Sequence, residues 1–154
     1  MTGPDTAAAP ERIPPRVGAA EAEPAFSGMR LLLVEDNPVN LQIARLNLTH
    51  AGFAVETAEN GQAAVDMVSA AEPGYYDAIL MDIQMPVMDG YAAARAIRAM
   101  ARRELAEIPI LALTANTFPE DVEASHAAGM TAHLAKPVDV QTLLVTLRRV
   151  LARR

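Results

Sequence analysis

Three short apolar runs constrain the fold of this chain more than any other feature of its sequence. Residues 29–34, 78–81 and 108–113 are almost continuously apolar, and each run ends in polar or turn-forming residues. Short runs without alternation are typical of strands buried on both faces, as in a parallel sheet covered by helices. Segments 53–57 and 131–135 are more interrupted, so we expect these two strands at the edges of the sheet.

The segments between the strands carry apolar residues at the spacing of amphipathic helices. The stripes comprise Val39, Ile43, Ala44, Leu46, Leu48 and Ala51 after the first strand; Ala64, Val68 and Ala71 after the second; Ala93, Ile97 and Met100 after the third; and Val140, Leu143, Leu144, Leu147 and Val150 at the end. Asp139 is the expected N-cap of the last helix. The remaining stretch, 119–128, has Val122 as its single large aliphatic side chain, so we expect it to be the least firmly docked helix.

Five strands that alternate with five helices predict an α/β fold. The preference for right-handed crossovers leaves few arrangements of such elements. The strand order 2-1-3-4-5 places the two interrupted strands at the edges. We therefore predict a doubly wound, five-stranded parallel sheet of the flavodoxin-like type, with helices on both faces.

The first 28 residues differ from the rest of the chain. They hold five of its eleven prolines, with Ala, Glu and Gly between them. This composition predicts a disordered linker or tail at 1–28 and a folded domain at 29–154. The segment is either a linker cut from a longer protein or a genuine amino terminus.

Composition and charge exclude several classes of function. The chain has 154 residues, 51% of them hydrophobic, which is enough for one domain with a core. A net charge of -6 argues against nucleic acid or an anionic membrane as partner, and four nearby arginines, 95, 98, 102 and 103, are expected on a solvated helix face. Without cysteine there is neither a disulfide nor a thiolate site. No signal peptide or membrane-spanning run is recognisable, so we expect a soluble, cytoplasmic chain.

Polar residues follow four of the five predicted strands. The first strand ends in Glu35 and Asp36, the third in Asp82, the fourth in Thr114, and the fifth in Lys136 before Pro137. An acidic residue after a strand is commonly a turn residue. Because parallel strands end at one edge, which is where ligands bind in such sheets, we expect these side chains to converge on one site.

The chemistry of these side chains suits phosphoryl transfer. Crowded carboxylates repel one another, and a hard cation with oxygen ligands relieves that repulsion, so an acidic cluster without nearby His or Cys favours Mg²⁺. An Asp carboxylate can attack phosphorus, while a metal ion, an ammonium and a hydroxyl neutralise the transferred group. Lys136 is the single lysine among 13 basic residues, which indicates that a compact point charge is needed there.

Four motifs carry a resemblance to a known family. They read LLVEDNPVN at 32–40, ILMDIQMPVMDG at 79–90, PILALTAN at 109–116 and GMTAHLAKPV at 129–138. In this order they resemble the receiver domain of response regulators in two-component signalling, above all the receivers of hybrid histidine kinases. The resemblance covers the whole predicted folded part.

The resemblance implies a role for each site residue. Asp82 would be the phosphoacceptor, taking a phosphoryl group from a phosphohistidine of a histidine kinase or histidine phosphotransfer domain. Mg²⁺ would be held by Asp36 and Asp82, by Glu35 more loosely or through water, and by the backbone carbonyl of Gln84. Thr114 would be the switch hydroxyl and Lys136 the phosphoryl-contacting ammonium, joined to Pro137 by a cis peptide in many members.

One residue departs from the family pattern. Where a Tyr or Phe usually precedes the lysine by three positions, this chain has His133, which is either a smaller switch residue or a partly exposed edge residue. The resemblance implies that the output surface consists of the helix at 119–128, the strand at 131–135 and the last helix. This surface could also form a weak homodimer.

Two alternative functions stay open at this point. One is a phosphohydrolase with an Asp nucleophile, although in haloacid-dehalogenase-like hydrolases that nucleophile follows the first strand in a D-x-D pattern. The other is a degenerate receiver that acts as a scaffold without being phosphorylated. A receiver would catalyse only its own phosphorylation and dephosphorylation, so we do not expect a conventional enzyme.

Overall fold

A computed structural model describes residues 28–115 and 119–151. The strands are β1 (Arg30–Val34), β2 (Ala54–Ala58), β3 (Ala78–Asp82), β4 (Ile110–Thr114) and β5 (Ala132–Ala135). The helices are α1 (Pro38–His50), α2 (Gly61–Ala70), α3 (Gly90–Arg98), α4 (Arg103–Ala106), α5 (Pro119–Ala127) and α6 (Val140–Leu151). The predicted tail lies outside the described residues except for Gly28, so its disorder stays a prediction.

The five strands form one parallel sheet in the order β2-β1-β3-β4-β5, which confirms the predicted topology. Every residue of β3 is buried, and β1 and β4 each have one residue that is only partly covered. The edge strands β2 and β5 each have one fully buried residue. Continuous apolar runs therefore identified the interior strands, because an interior strand of a three-layer fold has no solvent face.

The helices cover both faces of the sheet and create two cores. On one face, α1 and α6 bury Leu48, Leu143 and Leu147 against Leu31 and other strand residues. On the other face, α2, α3 and α4 pack against the sheet through residues such as Val68, Ile97 and Leu105. The division follows the strand period of two, because neighbouring residues of a strand point to opposite faces.

Helix starts follow the chemistry of their capping residues. The side chains of Asn37, Asn60 and Asp89 accept hydrogen bonds from backbone N–H groups in the first turns of α1, α2 and α3. The Asp139 carboxylate accepts from the backbone N–H of Thr142 at 3.1 Å, as expected for the N-cap of α6. These caps fix where each helix leaves the carboxyl edge of the sheet, and so fix the loops around the site.

Two features of the helices differ from the sequence-based prediction. The structure contains a sixth helix, α4, a single turn that buries Leu105 and whose N-cap residue, Arg102, makes no side-chain capping bond. The predicted α1 stripe was wrong for three of its residues, because Val39, Ile43 and Leu46 are 65%, 53% and 48% exposed. The helix packs on the sheet through Leu41, Ala44, Leu48 and Ala51 instead. A single helix layer has one buried face, so the neighbouring apolar residues stay on the surface.

The sequence-based prediction was also wrong for Arg98, which was expected on a solvated helix face together with three other arginines. Its guanidinium donates to the backbone carbonyls of Gly129 at 2.7 Å, Ala106 at 2.8 Å and Ile108 at 2.6 Å, and to Thr131 Oγ1 at 3.3 Å. Burial lowers the pKa of Arg98, and the negative charge of Glu107 partly offsets this effect. The side chain thus holds together the carboxyl ends of α3, α4 and α5.

No helix in the described ranges has the length and apolar character required to cross a bilayer. The cytoplasmic location expected from the sequence stays a prediction.

Replacing Arg98 tests whether its side chain holds the carboxyl ends of α3, α4 and α5 together. We expect Arg98→Met to lower the free energy of unfolding by about 2–4 kcal/mol, because buried carbonyl acceptors lose a charged donor. Arg95→Met is the matched control, since Arg95 lies on the same helix and is exposed. Urea unfolding followed by circular dichroism measures both; equal stabilities for the two variants would contradict the assignment.

Candidate functional site

The register of the sheet brings the predicted site residues to one edge. Val34 pairs with Met81, Asp82 with Leu113, and Thr114 with Ala135. The residues that follow β1 and β5, and the last residues of β3 and β4, therefore lie on neighbouring strands at the carboxyl edge. The convergence of these side chains on one site, which the sequence predicts, requires this pairing of the strands. The strands of the structure are paired in this way.

Three carboxylates lie together at this edge. Glu35, Asp36 and Asp82 each offer an oxygen within 4.8 Å of the others, close enough to share one metal ion. Glu35 and Asp82 are only 3% and 4% exposed, whereas Asp36 is exposed. A cluster of hard oxygen ligands with one side open to solvent fits Mg²⁺, which keeps several water ligands.

Lys136 connects two of these carboxylates. Its Nζ lies 3.2 Å from Glu35 Oε1 and 3.2 Å from Asp82 Oδ2. Partial burial alone would lower the pKa of Lys136, but the negative charges of Asp82 and Glu35 outweigh it, and the pKa lies above its ordinary value. The lysine is therefore charged at neutral pH. It follows a β5 residue and precedes Pro137 through a cis peptide bond, as the resemblance implied.

Glu35 has an altered acidity. Burial raises the pKa of its carboxyl above the ordinary value of 4.5, and the charge of Asp82 adds to the increase. The Asn37 backbone N–H, which donates to Glu35 Oε2 at 3.1 Å, and Lys136 both act in the opposite direction. A buried carboxylate beside another one is electrostatically unfavourable. Positive charge brought to this cluster is therefore bound favourably.

The carboxylates and the lysine line a cleft of about 640 Å³. Its lining includes the predicted residues Glu35, Asp36, Asp82, Gln84, Thr114 and Lys136. Further lining residues that the sequence did not assign to the site are Asn40, Asp89, Tyr91 and Asp121. Asp89 lies within the motif at 79–90 but was not assigned to the site. Asp121 lies in none of the four motifs, and it reaches the site because α5 follows β4 in the chain and contacts β5.

The loop after β3 is held in an unusual conformation. Val87 has a φ of 71°, in the left-handed region that a β-branched residue rarely adopts, and the Met88 N–H donates to the Pro86 carbonyl at 2.8 Å across it. At Gly90 a Cβ atom would lie 2.5 Å from the Asp82 carbonyl oxygen. The close approach explains the glycine. Gln84 lies beside Asp82, whose Oδ1 accepts from the Gln84 N–H at 3.3 Å.

His133 does not join the cleft lining among the described residues. It lies on β5 opposite Ala112 and is partly exposed. Ala132 and Leu134 pack against the core beneath α1 and α6, so the alternation of a strand directs His133 toward the opposite face of the sheet. Its role as a switch residue stays a prediction.

Comparison with known proteins identifies the family. The sequence matches the family described as "Response regulator receiver domain" over residues 31–148. It is 44% identical over 124 residues to the rice two-component response regulator ORR41, covering 79% of this chain and 93% of that protein. It is 36% identical over 128 residues to the fission yeast peroxide stress-activated histidine kinase mak1, covering 82% of this chain but 8% of the kinase.

Solved structures agree with this match. The receiver domain of sensor histidine kinase PA1611 from Pseudomonas aeruginosa PAO1, which has a magnesium ion coordinated in its active site cleft, is 41% identical, with a TM-score of 0.72 and coverage of 82% and 99% of the two chains. The receiver domain of Ssk1, in a co-crystal structure with the histidine phosphotransfer protein Ypd1 of Saccharomyces cerevisiae, is 32% identical, with a TM-score of 0.68 and coverage of 79% and 88%.

The fold is that of a flavodoxin-like signalling domain with an acidic site at the carboxyl edge. The chain belongs to the response regulator receiver domain family of two-component signalling. It spans between 6% and 16% of the length of the histidine kinases that it matches.

The pKa of Glu35 leads to a pH prediction for the metal-free chain. The pKa of Glu35 is higher in the folded state than its ordinary value of 4.5, so protonation of this carboxyl stabilises the fold. The stabilisation is fully present below about pH 4.5 and is lost as pH rises through the pKa of the folded state. Lowering the pH from about 7 toward about 5 should therefore stabilise wild type more than Glu35→Gln. Thermal unfolding in chelator measures it, with exposed Glu120→Gln as control. Parallel pH profiles for wild type and Glu35→Gln would exclude the effect.

Proposed function

We propose that this chain accepts a phosphoryl group from a phosphohistidine onto Asp82, in a Mg²⁺-dependent phosphorelay. The observation that carries the proposal is the position of Asp82: its buried carboxylate lies beside Lys136, at the base of a cleft that Thr114 also lines. Phosphoryl transfer depends mainly on positioning and on neutralising the charge of the transferred group, and this cleft offers both.

The reaction follows from the residues around the cleft. A carboxylate oxygen of Asp82 forms a bond to phosphorus as the bond from phosphorus to the donor's imidazole nitrogen breaks, and the electron pair leaves with the histidine. Lys136 lies where its ammonium stabilises the transferred oxygens, and the Thr114 hydroxyl lies at the same end of the sheet. Asp36, Asp82 and the Gln84 carbonyl would hold Mg²⁺, with Glu35 acting through water or more loosely, and the ion would neutralise charge on the phosphoryl oxygens.

The other two functions have weaker support. A hydrolase for external substrates would need its nucleophile after the first strand, in the pattern described above, whereas here the central carboxylate follows β3. A scaffold that is never phosphorylated would not need Asp36, Asp82, Thr114 and Lys136 together. In this proposal, the chain catalyses only the formation and loss of its own phosphoryl group.

Labelling with a small acyl phosphate tests the phosphoacceptor. In Mg²⁺ and acetyl phosphate, intact-mass analysis should show one phosphoryl adduct on wild type and none on Asp82→Asn, because Asp82 ends β3, the strand between β1 with its two carboxylates and β4 with Thr114. Chelator should abolish the adduct. An adduct that survives in Asp82→Asn would disprove the assignment, continuous release of phosphate from many substrates would favour the hydrolase, and an unlabelled wild type would favour the scaffold.

We further propose that the phosphodonor docks on α1. Val39, Ile43 and Leu46 form an exposed apolar stripe on the helix that starts beside Asp36. Ile43 also lines a groove of about 320 Å³ whose walls include Glu35 and Lys136. A donor protein that brings its phosphohistidine to Asp82 therefore covers this stripe, and burying it stabilises the complex. The Ssk1 receiver, a structural neighbour, forms a complex with the phosphotransfer protein Ypd1.

A charge on the stripe should separate docking from chemistry. Ile43→Asp is expected to reduce phosphotransfer from a phosphorylated histidine phosphotransfer protein by about ten-fold or more, with labelling by acetyl phosphate retained. Val145→Asp on α6 is the matched control, because Val145 is 54% exposed, close to the 53% of Ile43. Equal transfer to both variants would show that α1 is not the docking face.

We also propose that phosphorylation is read through α5, β5 and α6. A phosphoryl group on Asp82 would favour an inward position of Thr114, which is the last residue of β4 and precedes α5 by a short connection. Among the described residues of α5 only Ser125 is buried, so this helix can respond at low cost. The His133 side chain is smaller than the Tyr or Phe of the family pattern, which favours a smaller change, and a weak dimer through this surface stays a prediction.

A further inference from the structure

Asp121 adds a carboxylate to the cleft that the proposed chemistry does not use. It lies in the first turn of α5, is partly buried, and lines the same cleft as Asp82, Thr114 and Lys136. From β4 onward to α5, the residues that line this cleft are Leu113, Thr114, Ala115 and Asp121. A phosphoryl group on Asp82 would therefore share the cleft with the Asp121 carboxylate.

Asp121 lies outside the cluster of carboxylates that Lys136 contacts. Among the described residues, the carboxylates that could share one cation are Glu35, Asp36 and Asp82, and Asp121 is not one of them. Lys136 contacts Glu35 and Asp82. Asp89, the other acidic lining residue, accepts from the Ala92 N–H at 2.8 Å as the N-cap of α3. Asp121 thus adds a carboxylate to the cleft beyond the cluster that Lys136 contacts.

Helix stability alone does not account for this placement. An acidic side chain in a first turn interacts favourably with the helix dipole, but Glu120 already provides one in the same turn, and it is exposed to solvent. Asp121 and Val122 are partly buried, whereas Glu120 and Glu123 are exposed. The acidic residues of α5 therefore lie on both its exposed and its partly buried side. Among them, Asp121 is the one that lines the cleft.

We propose that Asp121 is a specificity-determining residue that slows the phosphorylation of Asp82 by small anionic phosphoryl donors. The inference rests on the proposed function. A small dianion must enter the cleft against the charge of Asp121, and its only compensating contacts are those of its phosphoryl group within the cleft. A phosphohistidine on a protein gains binding energy elsewhere, over the apolar surface of α1. The residue thereby reserves the site for a protein donor.

The experiment compares two small donors on the full chain at saturating Mg²⁺. With acetyl phosphate, an Asp82 oxygen bonds to phosphorus as the bond from phosphorus to the acetyl oxygen breaks, and acetate leaves. With phosphoramidate, which has a smaller net charge, the phosphorus–nitrogen bond breaks and ammonia leaves. Intact-mass spectrometry at timed intervals gives the labelling rate for each donor.

We expect Asp121→Asn to raise the rate with acetyl phosphate about two- to five-fold at low ionic strength, with a smaller increase for phosphoramidate. The increase should shrink at about 0.5 M salt, where charges are screened within a few ångströms. Glu120→Gln, which removes the same charge from the same turn outside the cleft, should leave both rates unchanged. Asp121→Ser should behave as Asp121→Asn does, and circular dichroism should show both variants folded.

Four results would overturn the inference. Labelling of Asp121→Asn at the wild-type rate would show that the carboxylate does not act on the donor, and an equal increase in Glu120→Gln would show only an effect of net charge. Slower labelling, with a weaker Mg²⁺ affinity by titration, would make Asp121 part of the metal site instead. A wild type that neither donor labels would disprove the proposed function and this inference with it.

Discussion

The ion pairs of Lys136 with Glu35 and Asp82 are the interaction on which the rest of the site depends. Two carboxylates that are almost fully buried at the edge of a sheet repel each other and lose their hydration, and the pKa of Glu35 is raised for these reasons. The ammonium, 3.2 Å from an oxygen of each, offsets this cost while no other cation is bound. The site is therefore built around a surplus of negative charge that one lysine only partly neutralises. Such an arrangement favours binding of a divalent cation and the anionic group that accompanies it.

The backbone around the site is fixed by packing rather than by the site itself. The parallel pairing of β1, β3, β4 and β5 brings four strand ends together, and the capping residues Asn37 and Asp89 set where α1 and α3 begin. Gly90 allows the loop after β3 to return against the Asp82 carbonyl, and Arg98 holds three helix ends at the opposite edge of the sheet. The strands and helices thus support a cleft whose lining side chains lie at the ends of these elements. Such rigid support provides the positioning that transfer of a group requires.

The surface near the site has two regions with different physical character. Glu35, Asn40, Leu113 and Lys136 line both the acidic cleft and the adjacent apolar groove, so the ion pair between Glu35 and Lys136 forms a common wall. The groove continues to the exposed side of α1 through Ile43. A partner that contacts the apolar region would have its reactive group at the acidic one. The apolar region can supply affinity and the acidic cleft can supply selectivity, which separates the recognition of a donor from the chemistry of transfer.

The sequence by itself determined the strand order, the buried strands and the residues at the carboxyl edge, because continuous apolar runs, helical spacing and strand-ending polar residues are local signals. It also indicated the family, through four motifs in order. Tertiary structure alone decided which apolar residues of α1 stay exposed, since the helical period does not tell which part of a broad stripe meets the sheet. It decided that Arg98 is held by backbone carbonyls, because those acceptors lie up to 31 residues away along the chain. It also brought Asp121 to the cleft, since a charged residue in a first turn faces the site only when its helix packs beside the neighbouring strand.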